Sequence, residues 1–391
     1  MENNKQSIYE LLNTFRQNGT DFTDNFCIVN GEPLPLQNVE SMGFNEFAIR
    51  SKINMPRKLY KYFPNTSTYI TDPETHRRKK INYSHRALQS NEVYLNSPAN
   101  FDDVYDSNIF VDWEKYLLAR LNYYISFCDI DIAGNSDLSH ILYVMATEMF
   151  NAVQNEQNIV NAFKRSPIDE GAKLAIENFA LSVFAEVTNG SLWQEAIVRT
   201  IRNEYQKLCG LTQETFRISC FATTPFSQLM WGGSYADCHR GFCIEYDVLP
   251  DDSKYSEIYQ NLFPVVYSKT RSEITSELLH WQDANITDSS LWHIYFNGLL
   301  RKSFDWAYQN EWRLLQPTKA EIKGFSVPFF PISKVYLGNR MNRRERTKII
   351  KICKEQNIPY VGVRRTDDRF EMCECPIKCE DCPQYTGSAK L

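Results

Sequence analysis

The spacing of apolar and polar residues divides the chain into stretches of different character. Residues 1–50 are mostly polar and predict a short helix followed by an irregular lead-in. Short alternating runs come next. "RKLYKYF" (57–63) reads as a strand, and "SHRALQSNEVYLNSPANFDD" (84–103) as a short helix, a strand through Val93–Leu95 and a turn at Ser97-Pro98. The segment between them, "TDPETHRRKK" (71–80), reads as a charged loop. From 113 to 209 the period lengthens. Leu138, Ile141, Leu142, Met145, Met149 and Val153 recur at helical spacing, as do Ile176, Phe179, Val183 and Val187.

Strand patterns then return in "FRISCFA" (216–222) and "GFCIEYDV" (241–248). In the second, Phe242, Ile244, Tyr246 and Val248 share a face. Residues 272–304 read as mainly helical. "EWRLLQP" (311–317), "VPFFPISKVYLG" (327–338) and "PYVGVRR" (359–365) add strands around a helix at 342–356. The expected fold class is α+β, with mixed or antiparallel sheets and a large helical insertion rather than βαβ alternation. The expected organisation is a helical lead-in (1–50), an α+β catalytic-type domain (51–112 and 210–370), a helical insertion (113–209) and a Cys-rich tail (371–391).

A chain of 391 residues can bury a large core. The net charge of −5 argues against a protein that binds nucleic acid over its whole surface, while leaving room for a local basic patch. Such a patch is expected on the helix at 340–354, with a second cluster at "HRRKK" (76–80); either could contact phosphate. The start of the chain has no basic leader, and no run approaches the roughly 18 apolar residues of a membrane span. A cytoplasmic protein, with no membrane partner and its 11 cysteines mostly reduced, is expected.

Four places carry candidate chemistry. Glu311 leads into an otherwise apolar strand, where a carboxylate is awkward to bury; pairing with Arg313 or Lys302 is the structural alternative. The loop "MWGGSYADCHRGF" (230–242) has Gly232-Gly233 for close backbone approach, and Trp231, Ser234, Tyr235 and His239 as ligand-contact candidates. Asp102, Asp103 and Asp106, with His239 and Glu245, could hold a divalent ion in a nuclease or phosphodiesterase, or could simply form a turn. Cys373, Cys375, Cys379 and Cys382 have the chemistry of a Cys₄ zinc site.

The segments "LYKYF", "VYLNSPANFDD", "LMWGGSYADCHRGFCIEYD" and "WAYQNEWRLL", in that order, resemble the bacterial domain-of-unknown-function 2971 family. A second resemblance is to ADP-ribosyltransferase-like folds. It rests on Lys61 on an early strand, Tyr94 and Ser97 as Tyr-x-x-Ser, and Gln309 and Glu311 as Gln-x-Glu opening a late strand; no His or Arg stands at the place of Lys61. This second resemblance implies NAD as substrate and a macromolecular acceptor (RNA, DNA or protein), in the manner of a toxin or anti-phage effector. Glu311, Gln309 and Tyr94 would be catalytic. Lys61 or Arg57 would hold the pyrophosphate and Tyr62 or Tyr94 would stack on nicotinamide, with Ser97, Trp231 and His239 as further NAD contacts. The competing classes are the metal-dependent nuclease and a non-enzymatic binding module.

Overall fold

The computed structural model describes residues 26–71, 76–128, 137–156, 158–165, 169–282, 287–379 and Cys382. It is a mixed α+β protein with several sheets and many helices. Two compact units are formed. One comprises residues 1–107, 213–270 and 300–391; the other comprises 108–212 and 271–299. The helical unit therefore draws on a second stretch, 271–299, in addition to the continuous insertion expected at 113–209.

In the helical unit, Trp113–Ile125, Leu138–Glu156, Glu170–Thr188 and Trp193–Cys209 are the long helices. Three of them start at aspartates that cap the first turn: Asp112 accepts from the Lys115 N–H, Asp137 from the His140 N–H and Asp169 from the Ala172 N–H. Most of the expected stripes are inward faces. Ile141, Met145, Met149, Ile176, Phe179 and Val183 are all buried in one core with Tyr124 and Ile201.

The strands all belong to the other unit. They begin with β1 (Phe26–Val29), β2 (Glu32–Pro35), β3 (Lys58–Phe63), β4 (Thr68–Thr71), β5 (Arg78–Ile81) and β6 (Glu92–Asn96). After the helical segment come β7 (Phe216–Phe221), β8 (Phe242–Asp247), β9 (Leu262–Pro264), β10 (Val266–Ser268) and β11 (Arg301–Ser303). The series ends with β12 (Trp312–Pro317), β13 (Gly324–Pro328), β14 (Ile332–Leu337), β15 (Tyr360–Arg365) and β16 (Met372–Glu374). Two five-stranded sheets, β13-β6-β7-β12-β9 and β16-β15-β14-β8-β3, share one apolar core that includes Leu59, Leu95, Phe221, Ile244, Leu314 and Val335. A four-stranded sheet, β11-β10-β1-β2, and the β4-β5 hairpin complete the unit.

Several expectations are corrected. The lead-in is not purely helical: Phe26–Val29 and Glu32–Pro35 form a hairpin, and β1 also pairs with β10. Residues 1–25 lie outside the described residues. The charged loop at 71–80 contains the paired ends of β4 and β5, because Tyr69 and Ile70 supply β-favouring side chains opposite Lys80 and Lys79. "VPFFPISKVYLG" is two strands in different sheets, parted by buried Phe329 and Phe330 and by Pro331. The tail does not start as a separate element, since Met372–Glu374 pairs with β15.

The two large sheets touch where Tyr60 on β3 exchanges backbone hydrogen bonds with Ala222, just past β7 (N···O 2.9 and 2.7 Å). Beyond that bridge the strands part, and side chains from both line a cavity.

Candidate functional site

The cavity has a volume of about 370 Å³ and lies entirely within the β-rich unit. Lys61, Tyr94, Gln309 and Glu311 all line it, as do Asp106, Cys220, Tyr235, Lys302 and Trp306. Three strand regions distant in sequence thus converge on one space. Tyr62 also lines it, but its hydroxyl is buried and donates to the Thr224 carbonyl.

The wall around Glu311 is a closed set of charges. The β7–β12 register places Arg313 directly opposite Cys220. Arg313 is fully buried and forks onto two carboxylates. Its Nε donates to Glu311 Oε1 at 2.7 Å, and its two terminal nitrogens donate to Asp106 Oδ1 and Oδ2 at 2.8 and 2.6 Å. Lys302, at the parallel pairing of β11 with β10, closes the other side. Its Nζ lies 3.1 Å from Glu311 Oε2, 3.2 Å from Asp106 Oδ2 and 2.9 Å from Gln309 Oε1. The Gln309 amide in turn donates to the Tyr235 hydroxyl at 3.0 Å.

Two opposing effects act on Glu311. Burial alone pushes its carboxyl up, but Arg313 and Lys302 outweigh burial and hold it well below the usual carboxylate range. For Lys302, burial pushes the ammonium down, while Glu311 and Asp106 carry it above its ordinary value. The carboxylate is therefore an anion across the physiological range. Lys61 differs from both. It is half-buried, donates to Ser219 Oγ and the Cys220 carbonyl at 3.0 Å each, and lies 5.1 Å from the Phe221 ring centre. Burial lowers its pKa, making it the cavity's most easily deprotonated cation.

Gln309 and Glu311 do not share a strand face by alternation, as the sequence pattern suggested. Gln309 ends a 3₁₀ turn (Phe304–Gln309), and Asn310 follows in the left-handed region at φ 42°. The Asn310 side chain donates to Thr223 Oγ1 at 2.7 Å. This turn brings both side chains onto Lys302, and the Tyr267 hydroxyl accepts from the Glu311 N–H at 2.9 Å. Trp306, on the same turn, lies 5.1 Å from Lys302 Nζ.

The remaining candidates stand elsewhere. Arg57 is exposed, and Ser97 donates to the Gln213 carbonyl at 3.3 Å; neither lines the cavity. Trp231 is buried, bonds the Pro225 carbonyl through Nε1 at 2.7 Å and packs edge-on against Tyr62. His239 stacks on Trp231 in a loop where Asp237, Cys238 and His239 all have positive φ. Neither Trp231 nor His239 lines the cavity. From the loop at 230–242 it is Met230 and Tyr235 that line the cavity.

The three aspartates all line the cavity but in different settings: Asp106 is held by Arg313 and Lys302, and Asp103 Oδ1 accepts from the Tyr105 N–H in a turn. Glu245 lies outside the cavity, bound to Lys58, Ser333 and Tyr336. Among the described residues no group of three or more His, Cys, Asp or Glu is arranged to hold a metal ion. That includes the tail cysteines. Cys373 sits in β16, the Cys375 N–H donates to the Gly362 carbonyl, and buried Cys379 accepts from an Arg346 Nη at 2.9 Å. No helix among the described residues is long and apolar enough to cross a membrane.

Residues 230–314 match the model of a family described as "Protein of unknown function (DUF2971)". The matched stretch carries Tyr235, Lys302, Gln309, Glu311 and Arg313, which are most of the charged wall; Lys61, Tyr94 and Asp106 lie before it. No curated protein and no solved structure matches the chain. Sequence spacing offers Asp106 only as a possible metal ligand or turn residue. Lys302 and Arg313 entered only as partners for Glu311, because one-dimensional spacing holds no signal that residue 106 joins them.

Proposed function

We propose that this cavity is the substrate site of an ADP-ribosyltransferase-like enzyme, which takes NAD and passes ADP-ribose to a macromolecular acceptor. The observation carrying the proposal is that Lys61, Tyr94, Gln309 and Glu311, far apart in sequence, line one cavity with Trp306. Cleavage of the nicotinamide–ribose bond builds positive charge on the sugar. A wall carboxylate that stays ionised stabilises that charge. Gln309 orients the attacking group, Lys61 attracts the pyrophosphate, and Tyr94 or Trp306 offers a ring to nicotinamide. Such chemistry suits a toxin or anti-phage effector.

The test is incubation of purified protein with labelled NAD and separate protein, DNA and RNA pools. Glu311→Gln should bind NAD and lose on the order of 10²–10³ in rate. Expression of wild-type protein, and not of the variant, should arrest bacterial growth. Full activity in Glu311→Gln, or no consumption of NAD with any acceptor, would overturn the proposal. One observation favours a second reading, a binding module without chemistry: both Glu311 oxygens already accept from cations, which cancels much of the field it could direct at a ligand. NAD bound but never consumed would select that reading.

A further inference from the structure

A second surface of the β-rich unit combines cations with exposed rings, and none of the residues argued here lines the cavity. The helix Arg343–Glu355 buries Arg346, Ile349, Ile352 and Cys353 and turns Arg344, Lys348 and Lys351 outward. Those three stand at positions i, i+4 and i+7, so they form one stripe about 10 Å long. Two carboxylates flank the stripe, Glu345 paired with Lys348 at 2.6 Å and Glu355 lying 3.7 Å from Lys351, and a bound phosphate would compete with them.

The β4–β5 hairpin and the helix Tyr83–Ser90 adjoin that stripe. His85 Nε2 lies 3.9 Å from Glu345 Oε2, and the Gln356 side chain donates to the Gln89 carbonyl at 2.8 Å. Tyr69 stands opposite Lys80 in the hairpin register, and Tyr83 opens the helix that carries His85. The rings are the second component. Tyr69 is 58% exposed and Tyr83 is 55% exposed, and the Arg78 guanidinium lies 5.1 Å from the Tyr69 ring centre. In a chain with net charge −5, this concentration of cations is local.

We infer that this surface, formed by the helix Arg343–Glu355 and the β4–β5 hairpin, binds single-stranded nucleic acid. Lys80, Arg344, Lys348 and Lys351 take the phosphates, and Tyr69 and Tyr83 stack the bases. Cations alone would fit any polyanion. Exposed aromatic rings set among them select for unpaired bases, because every base has a face to stack and a duplex hides it. The inference stands independently of the chemistry proposed for the cavity.

The test is fluorescence anisotropy of the full chain with a labelled oligo-dT and an oligo-U of about 20 nucleotides, a duplex of the same length, and anionic phospholipid vesicles. Single strands should bind more tightly than the duplex. The triple variant R344Q/K348Q/K351Q should weaken single-strand binding at least tenfold and lower the salt slope by about 2, since each lost phosphate contact on a single strand removes roughly 0.7. Y69A/Y83A should lose single-strand affinity and keep the salt slope. Glu311→Gln should bind as the wild type does, which separates failure here from failure of the NAD reading. Absent binding at low salt, equal or tighter binding to the duplex, binding to vesicles alone, or unchanged affinity in the triple variant would overturn the inference.

Discussion

Two carboxylates, Glu311 buried in the β-rich unit and Glu204 half-buried in the helical unit, meet arginines and respond in opposite directions. Glu311 has a cation on each oxygen, with contacts of 2.7 and 3.1 Å, and its carboxyl is held well below the usual range. Glu204 lies 3.7 Å from Arg120 Nε and accepts from the Tyr124 hydroxyl at 2.9 Å. There burial wins, and the carboxyl rises despite Arg120. Arg120 spreads its charge over the rings of Tyr123 and Tyr124, 4.4 and 4.7 Å away, instead of forking onto the acid. The comparison teaches that the number and geometry of charge contacts, more than burial, decide in which direction such a carboxyl shifts. Glu311, the acid with two close cations, lines the cavity between the strands.

The largest expected effect comes from breaking the stronger cluster. Arg313→Met should destabilise the protein by about 3–5 kcal/mol, because Asp106 and Glu311 would be left with Lys302 alone. Urea denaturation measures this, and a loss below about 1 kcal/mol would show that the carboxylates are solvated and the comparison is mistaken. A smaller effect is expected from Glu204→Gln, about 1 kcal/mol or less, since burial already disfavours the charge that the substitution removes. A cost equal to that of Arg313→Met would erase the distinction between the two sites.

The pH dependences sharpen the contrast and should be opposite in sign. The folded-state pKa of Glu311 is depressed, so its contribution is present above the unfolded value of about 4.3 and is lost as pH falls toward the folded value. The folded-state pKa of Glu204 is raised, so it penalises folding at neutral pH and the penalty is relieved as pH falls through that raised value. Stability measured from pH 7 to pH 3 should therefore fall less steeply in Glu311→Gln than in the wild type, and more steeply in Glu204→Gln. Identical slopes in both variants would contradict the assignment.

The smallest expected effect concerns the tail. If Cys379 serves chiefly as the acceptor for Arg346, Cys379→Ser should shift the thermal midpoint by only a few degrees. One zinc per chain, lost together with stability on chelation, would instead establish the four-cysteine site that the spacing suggested.

The sequence by itself determined the elements with a clear period. The strands at 58–63, 92–96, 216–221 and 242–247 and the inward faces of the long helices all follow from alternation or helical spacing, because burial of a regular element leaves a regular trace. It also placed Glu311 as a buried anomaly, since a carboxylate opening an apolar strand needs a partner wherever it lies. The hairpin at Phe26–Val29 and Glu32–Pro35 left no such trace. Each of its strands is four residues long, too short for a period, and β1 is stabilised by pairing with β10, more than two hundred residues away. Only the tertiary structure decided who partners Glu311. Asp106 reaches Arg313 across 207 positions, and the left-handed Asn310 swings Gln309 beside Glu311 where strand alternation would not. Ion-pair geometry depends on three-dimensional distance and on the polarity of the surroundings, and linear spacing encodes neither.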